Sequence, residues 1–213
     1  MRLQKLGHSC LLVEHDGRRV LVDPGNLSSD WHGLRELDAV LVTHQHPDHL
    51  DLAALPVLLA ASPGVEVVAD EAAAGELGQL GITVTTARDG DVLAVAGIDV
   101  TVVGATHAEI HPDIPRVPNV GYLIGDLFVP GDALTVPPAG AGVRVLAAPV
   151  VAPWSKVGET IDHLRAVGAP VVVPVHDAIL SAAGVQLFRR VLTHAVPGST
   201  LRPLDDETTP VDI

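Results

Sequence analysis

The sequence predicts an α/β fold, and two observations support that prediction. Short apolar runs rich in β-branched residues recur along the 213 residues, and longer segments with helical spacing of apolar residues lie between them. Such interleaving is typical of sheets that are covered by helices. The predicted strands are 11–14, 19–22, 39–43, 65–69, 99–104, 121–124, 127–129, 143–147 and 171–175. Several are apolar throughout, as expected of strands buried on both faces.

Four segments have the pattern of helices. Apolar residues recur at helical spacing in 156–167, which stops at Gly168, and in 179–195, which stops before Pro197. An Ala-rich segment running to about Leu80 follows Asp70, a residue type that caps helices. Segment 52–59 also has the character of a helix. The turn sequences at 15–17 and 125–126 predict hairpins, which add antiparallel pairing to the sheets.

Length and composition indicate one folded domain over residues 1–213. The length corresponds to about one or one and a half average domains, and 47% of the residues are hydrophobic, enough to form a sizeable core. The net charge is −13, with 26 acidic and 13 basic residues and no basic stripe. We therefore expect the protein to bind neither nucleic acid nor an anionic membrane, because binding to either requires a positively charged surface.

The sequence also favours a cytoplasmic location. Cys10 is the single cysteine and has no partner for an internal disulfide, which suits a reducing compartment. The N-terminal segment lacks the apolar stretch of a secretory signal, and no apolar run reaches the 18 residues expected of a membrane span. No pattern indicates an oligomeric state.

The densest group of ligand-type side chains lies in segment 43–49, which reads Thr-His-Gln-His-Pro-Asp-His. It directly follows the apolar strand 39–42, and ligands of open α/β sheets bind beyond the carboxyl ends of strands. Imidazole and carboxylate groups bind zinc and similar divalent ions. The metal ligands predicted here are His44, His46, Asp48 and His49.

Four further strands end in an imidazole or a carboxylate, and we expect these side chains to converge on the same centre. They are Asp23, His107, Asp132 and His176. Taken alone, His107 or His176 is more typical of a hydrogen-bonded structural histidine, and the neighbouring cluster favours a ligand. Asp23 is either a turn residue before Pro24 or an acceptor that orients a ligand histidine.

Five motifs, LVDPG, THQHPDH, ATH, PGDA and PVHD, occur in an order that resembles the metallo-β-lactamase-fold hydrolase superfamily. The resemblance covers nearly the whole chain and implies a four-layer αββα sandwich of two similar halves with a two-metal site on one edge. It also implies the role of each residue. His44, His46 and His107 would bind the first metal, Asp48, His49 and His176 the second, and Asp132 would bridge them, with Asp23 behind as a supporting residue.

Departures from particular branches of the family narrow the expected activity. A diiron flavoprotein branch usually has Glu at the position of His46, so redox chemistry is disfavoured. Secreted β-lactamases carry a signal peptide, the nuclease branch carries an inserted domain, and glyoxalase-type members carry an extra helical domain. The sequence shows none of these features, so we do not expect the activities of those branches. The chain most closely resembles the compact hydrolases related to ascorbate-6-phosphate lactonase.

The expected function is hydrolysis of a small-molecule ester, lactone or phosphodiester by a hydroxide that bridges two divalent metal ions. Zinc is the expected metal, and Mn²⁺, Fe²⁺ and Ni²⁺ are alternatives because they accept the same ligands. Asp48 is expected to hold or pass the proton of the water as well as to bind the second metal. The alternative is a non-catalytic metal-binding or interaction protein on the same fold.

Residues outside the metal cluster carry weaker predictions. The Pro-rich loop 108–119 follows a predicted ligand, so His111 and Arg116 are candidates for binding an anionic substrate; alternatively, this loop is a solvated connection. Trp154 is a candidate for the pocket wall or for the core. His8 is expected to be structural or at the rim of the site. Segment 203–213 is either a closing strand or a frayed tail.

Overall fold

The computed structural model describes residues 1–213, which form 14 strands and four helices. The strands are β1 Arg2–Lys5, β2 Leu11–His15, β3 Arg18–Val22, β4 Ala39–Val42, β5 Glu66–Ala69, β6 Thr85–Thr86, β7 Val92–Val95, β8 Ile98–Val103, β9 Gly121–Ile124, β10 Leu127–Val129, β11 Val145–Pro149, β12 Val171–Val175, β13 Thr200–Leu201 and β14 Val211–Asp212. The helices are α1 Leu55–Ala60, α2 Glu71–Gln79, α3 Val157–Val167 and α4 Ala182–Ala195.

The strands form two seven-stranded sheets of matching design. The first sheet has the order β14-β1-β2-β3-β4-β5-β6, and the second has the order β13-β12-β11-β10-β9-β8-β7. In the first sheet, β14 to β3 pair antiparallel and β3 to β6 pair parallel. In the second sheet, β7 to β10 pair antiparallel and β10 to β13 pair parallel. The two halves of the chain therefore repeat one topology.

Alternation along the strands creates three hydrophobic cores. In β4, Ala39 and Leu41 lie in the core between the sheets, whereas Val40 and Val42 lie in the core beneath α1 and α2. In β11, Val145 faces the central core, and its neighbours on the other face pack under α3 and α4. Successive strand residues point to opposite faces, so wholly apolar strands are buried on both sides. The predicted four-layer αββα sandwich is confirmed.

Capping residues set the helix boundaries. Asp70 caps α2 by accepting the N–H of Ala73, and Gly168 ends α3 in the left-handed conformation, as its sequence predicts. Helix α4 begins at Ala182 rather than at residue 179, because the Ser181 hydroxyl accepts the N–H of Gly184. Helix α1 begins at Leu55 rather than at residue 52. The Asp51 carboxylate accepts two N–H groups in the intervening turn.

The end of the chain pairs with its beginning. Strand β14 lies antiparallel to β1, with Val211 opposite Leu3, so the last segment contributes a closing strand. Strands β1, β6, β7 and β13 are not among the predicted strands. None of the four helices combines the length and the apolar character needed to cross a membrane.

Candidate metal centre

Strands that run in the same direction deliver polar side chains to one shared edge of the two sheets. Strand β8 pairs antiparallel with its neighbours, and it runs in the same direction as β10. Segment 43–49 follows β4 and Asp23 follows β3 in the first sheet; His107, Asp132 and His176 follow β8, β10 and β12 in the second. Parallel strands end on the same side of a sheet, so residues far apart in the chain meet there. Of the predicted site residues, His46 and Asp48 are half-buried and the others are almost fully buried.

The side chains form two adjoining groups of potential ligands. His44, His46 and His107 form the first group, and Asp48, His49 and His176, with His8 beside them, form the second; within each group the ligand atoms lie within 4.8 Å of one another. The nitrogens His44 Nε2 and His46 Nδ1 are 3.1 Å apart. A tetrahedral zinc ion with Zn–N distances of about 2.0–2.1 Å would separate its ligand atoms by roughly 3.4 Å. The spacing is therefore compatible with ligands of one ion.

Asp132 lies between the two groups. Its Oδ2 is 3.4 Å from His107 Nε2 and 3.1 Å from His176 Nε2, and its Oδ1 is 3.2 Å from His49 Nε2. One carboxylate thus faces a histidine of the first group and two histidines of the second. This is the position that a bridging ligand requires.

Oxygen acceptors hold the outer ring nitrogen of three of the predicted ligand histidines, His49, His107 and His176. The Nδ1 atom of His107 is 2.6 Å from the carbonyl oxygen of Ala108, and that of His176 is 2.6 Å from the carbonyl oxygen of Val151. The His49 Nδ1 atom is 2.8 Å from Asp23. In each of these rings Nδ1 therefore donates a hydrogen, and Nε2 is the nitrogen that is directed into the site.

Four buried atoms of this site have no hydrogen-bond partner. They are His49 Nε2, His107 Nε2, His176 Nε2 and Asp132 Oδ1. Leaving a buried polar atom unsatisfied costs about 1–3 kcal/mol, so a cluster of four such atoms aimed at one space indicates a missing partner. All four are acceptors or lone-pair donors, which a metal cation satisfies. The residues present therefore fit a divalent metal centre.

A buried hydrogen-bond network supports the predicted ligands from behind. Asp23, which has φ of 50°, accepts the N–H and the hydroxyl of Thr43 at 2.8 and 2.9 Å and faces His49 Nδ1 at 2.8 Å. The Thr43 oxygen in turn lies 3.1 Å from His44 Nδ1. Because the hydroxyl hydrogen is used on Asp23, this oxygen accepts from His44. One carboxylate thus orients two of the imidazole rings.

Two further residues position Asp132. The Trp154 indole N–H donates to Asp132 Oδ2 at 2.8 Å, and the Asn119 side-chain oxygen accepts the backbone N–H of Asp132 at 3.0 Å. Trp154 is almost fully buried, so its polar atom contacts the metal-site carboxylate rather than an open pocket. Asn119 is not among the predicted site residues, because a single amide in a Pro-rich loop forms no recognisable sequence pattern.

The electrostatics of the site favour a cation. Burial lowers the pKa of His44 well below its ordinary value, so the ring stays neutral as a ligand must. Burial acts to raise the pKa of Asp132, but His49, His107 and His176 together hold it well below its ordinary value. Burial likewise acts to lower the pKa of His176, yet the carboxylates of Asp132 and Asp48, 3.1 and 3.2 Å from its Nε2, raise it to about 9. A metal cation in this space would take the place of that proton. The ionised carboxylates thus attract positive charge to this space.

The predicted substrate residues occupy different surroundings. Arg116 lines a small cleft beside His46 and His107, and its guanidinium donates to Glu109 at 2.6 Å. His111 is exposed, and its Nδ1 accepts the N–H of Asp113 within its own loop. The structure therefore brings Arg116 to the site but not the His111 side chain.

His8 lies in the site rather than at its rim. Its side chain is buried, and its Nε2 atom is 3.2 Å from Asp48 Oδ2. The signal available in the sequence was a histidine next to a turn at Gly7, and this signal is weak by itself.

Comparison with known proteins agrees with this arrangement. A family model described as "Beta-lactamase superfamily domain" matches residues 2–176. A protein of Mycobacterium tuberculosis, Rv0786c, is 46% identical over 187 residues, which cover 85% of this chain and 86% of that protein. A UPF0173 metal-dependent hydrolase of Methanopyrus kandleri is 35% identical over 146 residues, which cover 62% of each chain.

Among solved structures, the metallo hydrolase Igni18 of Ignicoccus hospitalis has the same fold. Its TM-score is 0.74 at 20% sequence identity, and the match covers 100% of this chain and 98% of that chain. The family model spans most of this chain, including every predicted metal ligand. The chain therefore belongs to the metallo-β-lactamase-fold hydrolase superfamily.

Proposed function

We propose that this protein is a hydrolase whose histidine and aspartate cluster binds two divalent metal ions and cleaves a small ester, lactone or phosphodiester. The observation that supports it most directly is the set of four unpartnered buried atoms on His49, His107, His176 and Asp132. An interaction protein without a metal would gain nothing from burying these groups unsatisfied.

In this proposal each of the two groups of predicted ligands binds one metal ion, and the seventh ligand, Asp132, binds both. His44, His46 and His107 would hold the first ion, Asp48, His49 and His176 the second, and Asp132 both. We propose zinc as the native metal, because five imidazoles and two carboxylates suit its preference for nitrogen and oxygen ligands. When bound, the pair of ions would lower the pKa of a water molecule and polarise the carbonyl or phosphoryl oxygen of the substrate.

Asp48 is the proposed proton carrier of the reaction. Its side chain is 26% exposed, whereas those of His49, His176 and Asp132 are 1–5% exposed. Asp48 thus combines contact with the ligand cluster and access to solvent. Its carboxylate takes the proton of the attacking water as the new bond to carbon or phosphorus forms, and returns it to the leaving oxygen as the old bond breaks.

One wall of the proposed substrate cleft is the loop after His107. Ile110, Ile114 and Arg116 line this cleft next to His46 and His107. The apolar residues would exclude water from the reacting bond, and Arg116 would bind an anionic group of the substrate once it leaves Glu109. Trp154 would support this cleft through Asp132 instead of contacting the substrate itself.

The test is metal content measured together with turnover. Zinc-loaded protein is assayed on a bis-aryl phosphodiester, several lactones and several thioesters, with neutral and anionic members of each class. We expect one bond class to be hydrolysed in a chelator-sensitive manner. Substituting a residue that hydrogen-bonds to a metal ligand typically lowers activity by roughly 10–100-fold. His46→Ala and Asp132→Asn remove proposed ligands themselves, so each should lower turnover by more than that.

Two exposed positions provide matched controls. His194→Ala on α4 and Asp99→Asn on β8 change the same residue types on the surface, and we expect wild-type metal content and turnover from both. Full metal content and turnover in Asp132→Asn protein would refute the assignment. Bound metal without turnover on any substrate would favour the non-catalytic alternative.

A further inference from the structure

The hairpin loop between β1 and β2 reaches from the first half of the molecule into the second. Lys5, at the end of β1, donates to both carboxylate oxygens of Asp177 at 2.7 and 2.8 Å. The carbonyl oxygen of His8 accepts the N–H of His176 at 3.1 Å. These contacts fix the backbone of His8 against the loop that carries a predicted metal ligand, and hold it at φ of 44°.

The hydrogen-bond partners of the His8 ring determine which nitrogen carries its hydrogen. The backbone N–H of Ala178 donates to His8 Nδ1 at 3.3 Å, so this nitrogen is an acceptor. In a neutral imidazole the other nitrogen is then the donor. The donor Nε2 lies 3.2 Å from Asp48 Oδ2, so His8 donates a hydrogen bond to this carboxylate.

His8 therefore has the opposite tautomer from the neighbouring ligand histidines. Distance alone would admit it as a ligand, because His8, Asp48, His49 and His176 all lie within 4.8 Å of one another. His49 and His176, however, place Nδ1 against an oxygen, so the nitrogen that faces the cluster is Nε2. The His176 Nε2 atom also lies 3.2 Å from Asp48 Oδ2, but it makes no hydrogen bond there. The Nε2 atom of His8 carries a hydrogen and has no lone pair for a metal.

We propose that His8 is a positioning residue that holds the Asp48 carboxylate in place through its Nε2–H and does not bind the metal. The inference rests on the proposed two-metal function. Asp48 is the most exposed member of the second group, and its neighbours there are the potential ligands His49 and His176. Without His8 its carboxylate would be free to rotate toward solvent, which would weaken the second metal position.

The first measurement is the nitrogen NMR spectrum of the histidine rings in metal-free and zinc-loaded protein. We expect the His8 ring to carry its hydrogen on Nε2 in both states, whereas the Nε2 atoms of His49 and His176 become zinc-bound. Loss of the Nε2 hydrogen of His8 on zinc loading would identify His8 as a ligand and overturn the proposal.

The second measurement compares His8→Leu with His8→Gln, whose side-chain amide can still donate to Asp48. We expect His8→Leu to weaken the binding of one of two zinc ions by about 10–100-fold, and His8→Gln to recover most of that affinity. His163→Leu is the matched control, because His163 is buried and bonded to Thr135 away from the cluster. Wild-type affinity in His8→Leu, or no recovery in His8→Gln, would refute the proposal.

These experiments separate the two levels of inference. If the wild-type protein binds no zinc, the proposed function fails. The spectrum of the metal-free protein would still decide whether His8 Nε2 or Nδ1 carries the hydrogen, and a hydrogen on Nδ1 would overturn the positioning role independently.

Discussion

The hydrogen-bond partner of a buried histidine nitrogen determines which ring nitrogen carries the hydrogen and which one faces the site. His107 and His176 present Nε2 to the site because backbone carbonyl oxygens occupy Nδ1. His8 presents a hydrogen to Asp48 because a backbone N–H occupies its Nδ1. The same residue type thus provides a ligand or a donor according to the polarity of one backbone group behind it.

The carboxyl group of Asp70, which caps α2, should make the stability of the protein depend on pH. One of its oxygens accepts the N–H of Ala73 at 2.6 Å, and the other is buried without a partner. Burial raises the pKa of this carboxyl from 3.8 to about 6. The folded protein therefore binds the proton more tightly than the unfolded chain does, so this contribution to stability is present below about pH 4 and is lost as the pH rises through 6.

Asp70→Asn keeps the capping oxygen and removes the titration. We expect the free energy of unfolding of the variant, relative to wild type, to rise by on the order of 2–3 kcal/mol between pH 4 and pH 7. Urea unfolding of both proteins at several pH values measures this difference. The histidine cluster titrates in both proteins, so its contribution cancels when the two free energies are subtracted. Ser181→Asn, at the cap of α4, should give a difference that does not vary with pH. A flat profile for Asp70→Asn would contradict the prediction.

The residues that gather at the site could be predicted because each lies directly or a few positions after a strand. That relation is local in the sequence, and the parallel sheet converts it into proximity. The position of His8 could not be predicted in this way. It depends on contacts with Asp48, 40 positions away, and with Ala178, 170 positions away, and no local pattern records either contact.

Loop 23–26 fixes the backbone of the motif that carries Asp48 and His49. The N–H of Asn26 donates to the carbonyl oxygen of Pro47 at 2.8 Å, and the N–H of Asp51 donates to that of Pro24 at 2.9 Å. A Cβ atom on Gly25 would lie 1.8 Å from the carbonyl oxygen of Asp48 and 2.6 Å from the His49 nitrogen. The two loops can approach this closely only because residue 25 is glycine.

Gly25→Ala is therefore expected to displace Asp48 and His49. A misplacement of about 1 Å can lower turnover by about 100-fold, and zinc affinity should fall with it. Gly33→Ala is the matched control, because no atom lies within 4 Å of its added Cβ. Calorimetric zinc titration and turnover measure the effect, and circular dichroism checks that both variants fold. Equal zinc affinity in the two variants would show that this contact does not position the motif.

The elements that the sequence predicted well are those with a repeated pattern. The strands at the centres of the sheets are apolar on both faces, and α2 and α3 combine helical spacing with a recognisable cap. Strand β1 contains Arg2, Gln4 and Lys5, and its buried Lys5 pairs with Asp177 far along the chain. Strands β6, β13 and β14 have only two residues each, too few to show alternation.

On the scale of the whole molecule, the two sheets meet through one core and one site. The central core of 23 buried residues draws from both sheets, and the Tyr122 hydroxyl of β9 donates across it to the carbonyl oxygen of Val42 in β4 at 2.8 Å. Val42 ends β4, directly before the motif. The same edge that joins the sheets therefore also carries the proposed ligands of both halves.

Because each proposed metal position takes ligands from both halves, zinc should stabilise the molecule as a unit. Free zinc at about 100 times its dissociation constant adds roughly 2.7 kcal/mol per site to the free energy of unfolding. We expect one cooperative urea transition that moves to higher urea on zinc loading and returns on chelation. Asp132→Asn should lose much of this gain and Asp99→Asn should keep it. A transition that zinc leaves unmoved, or one that splits so that only one half is stabilised, would show that the metals do not join the two halves.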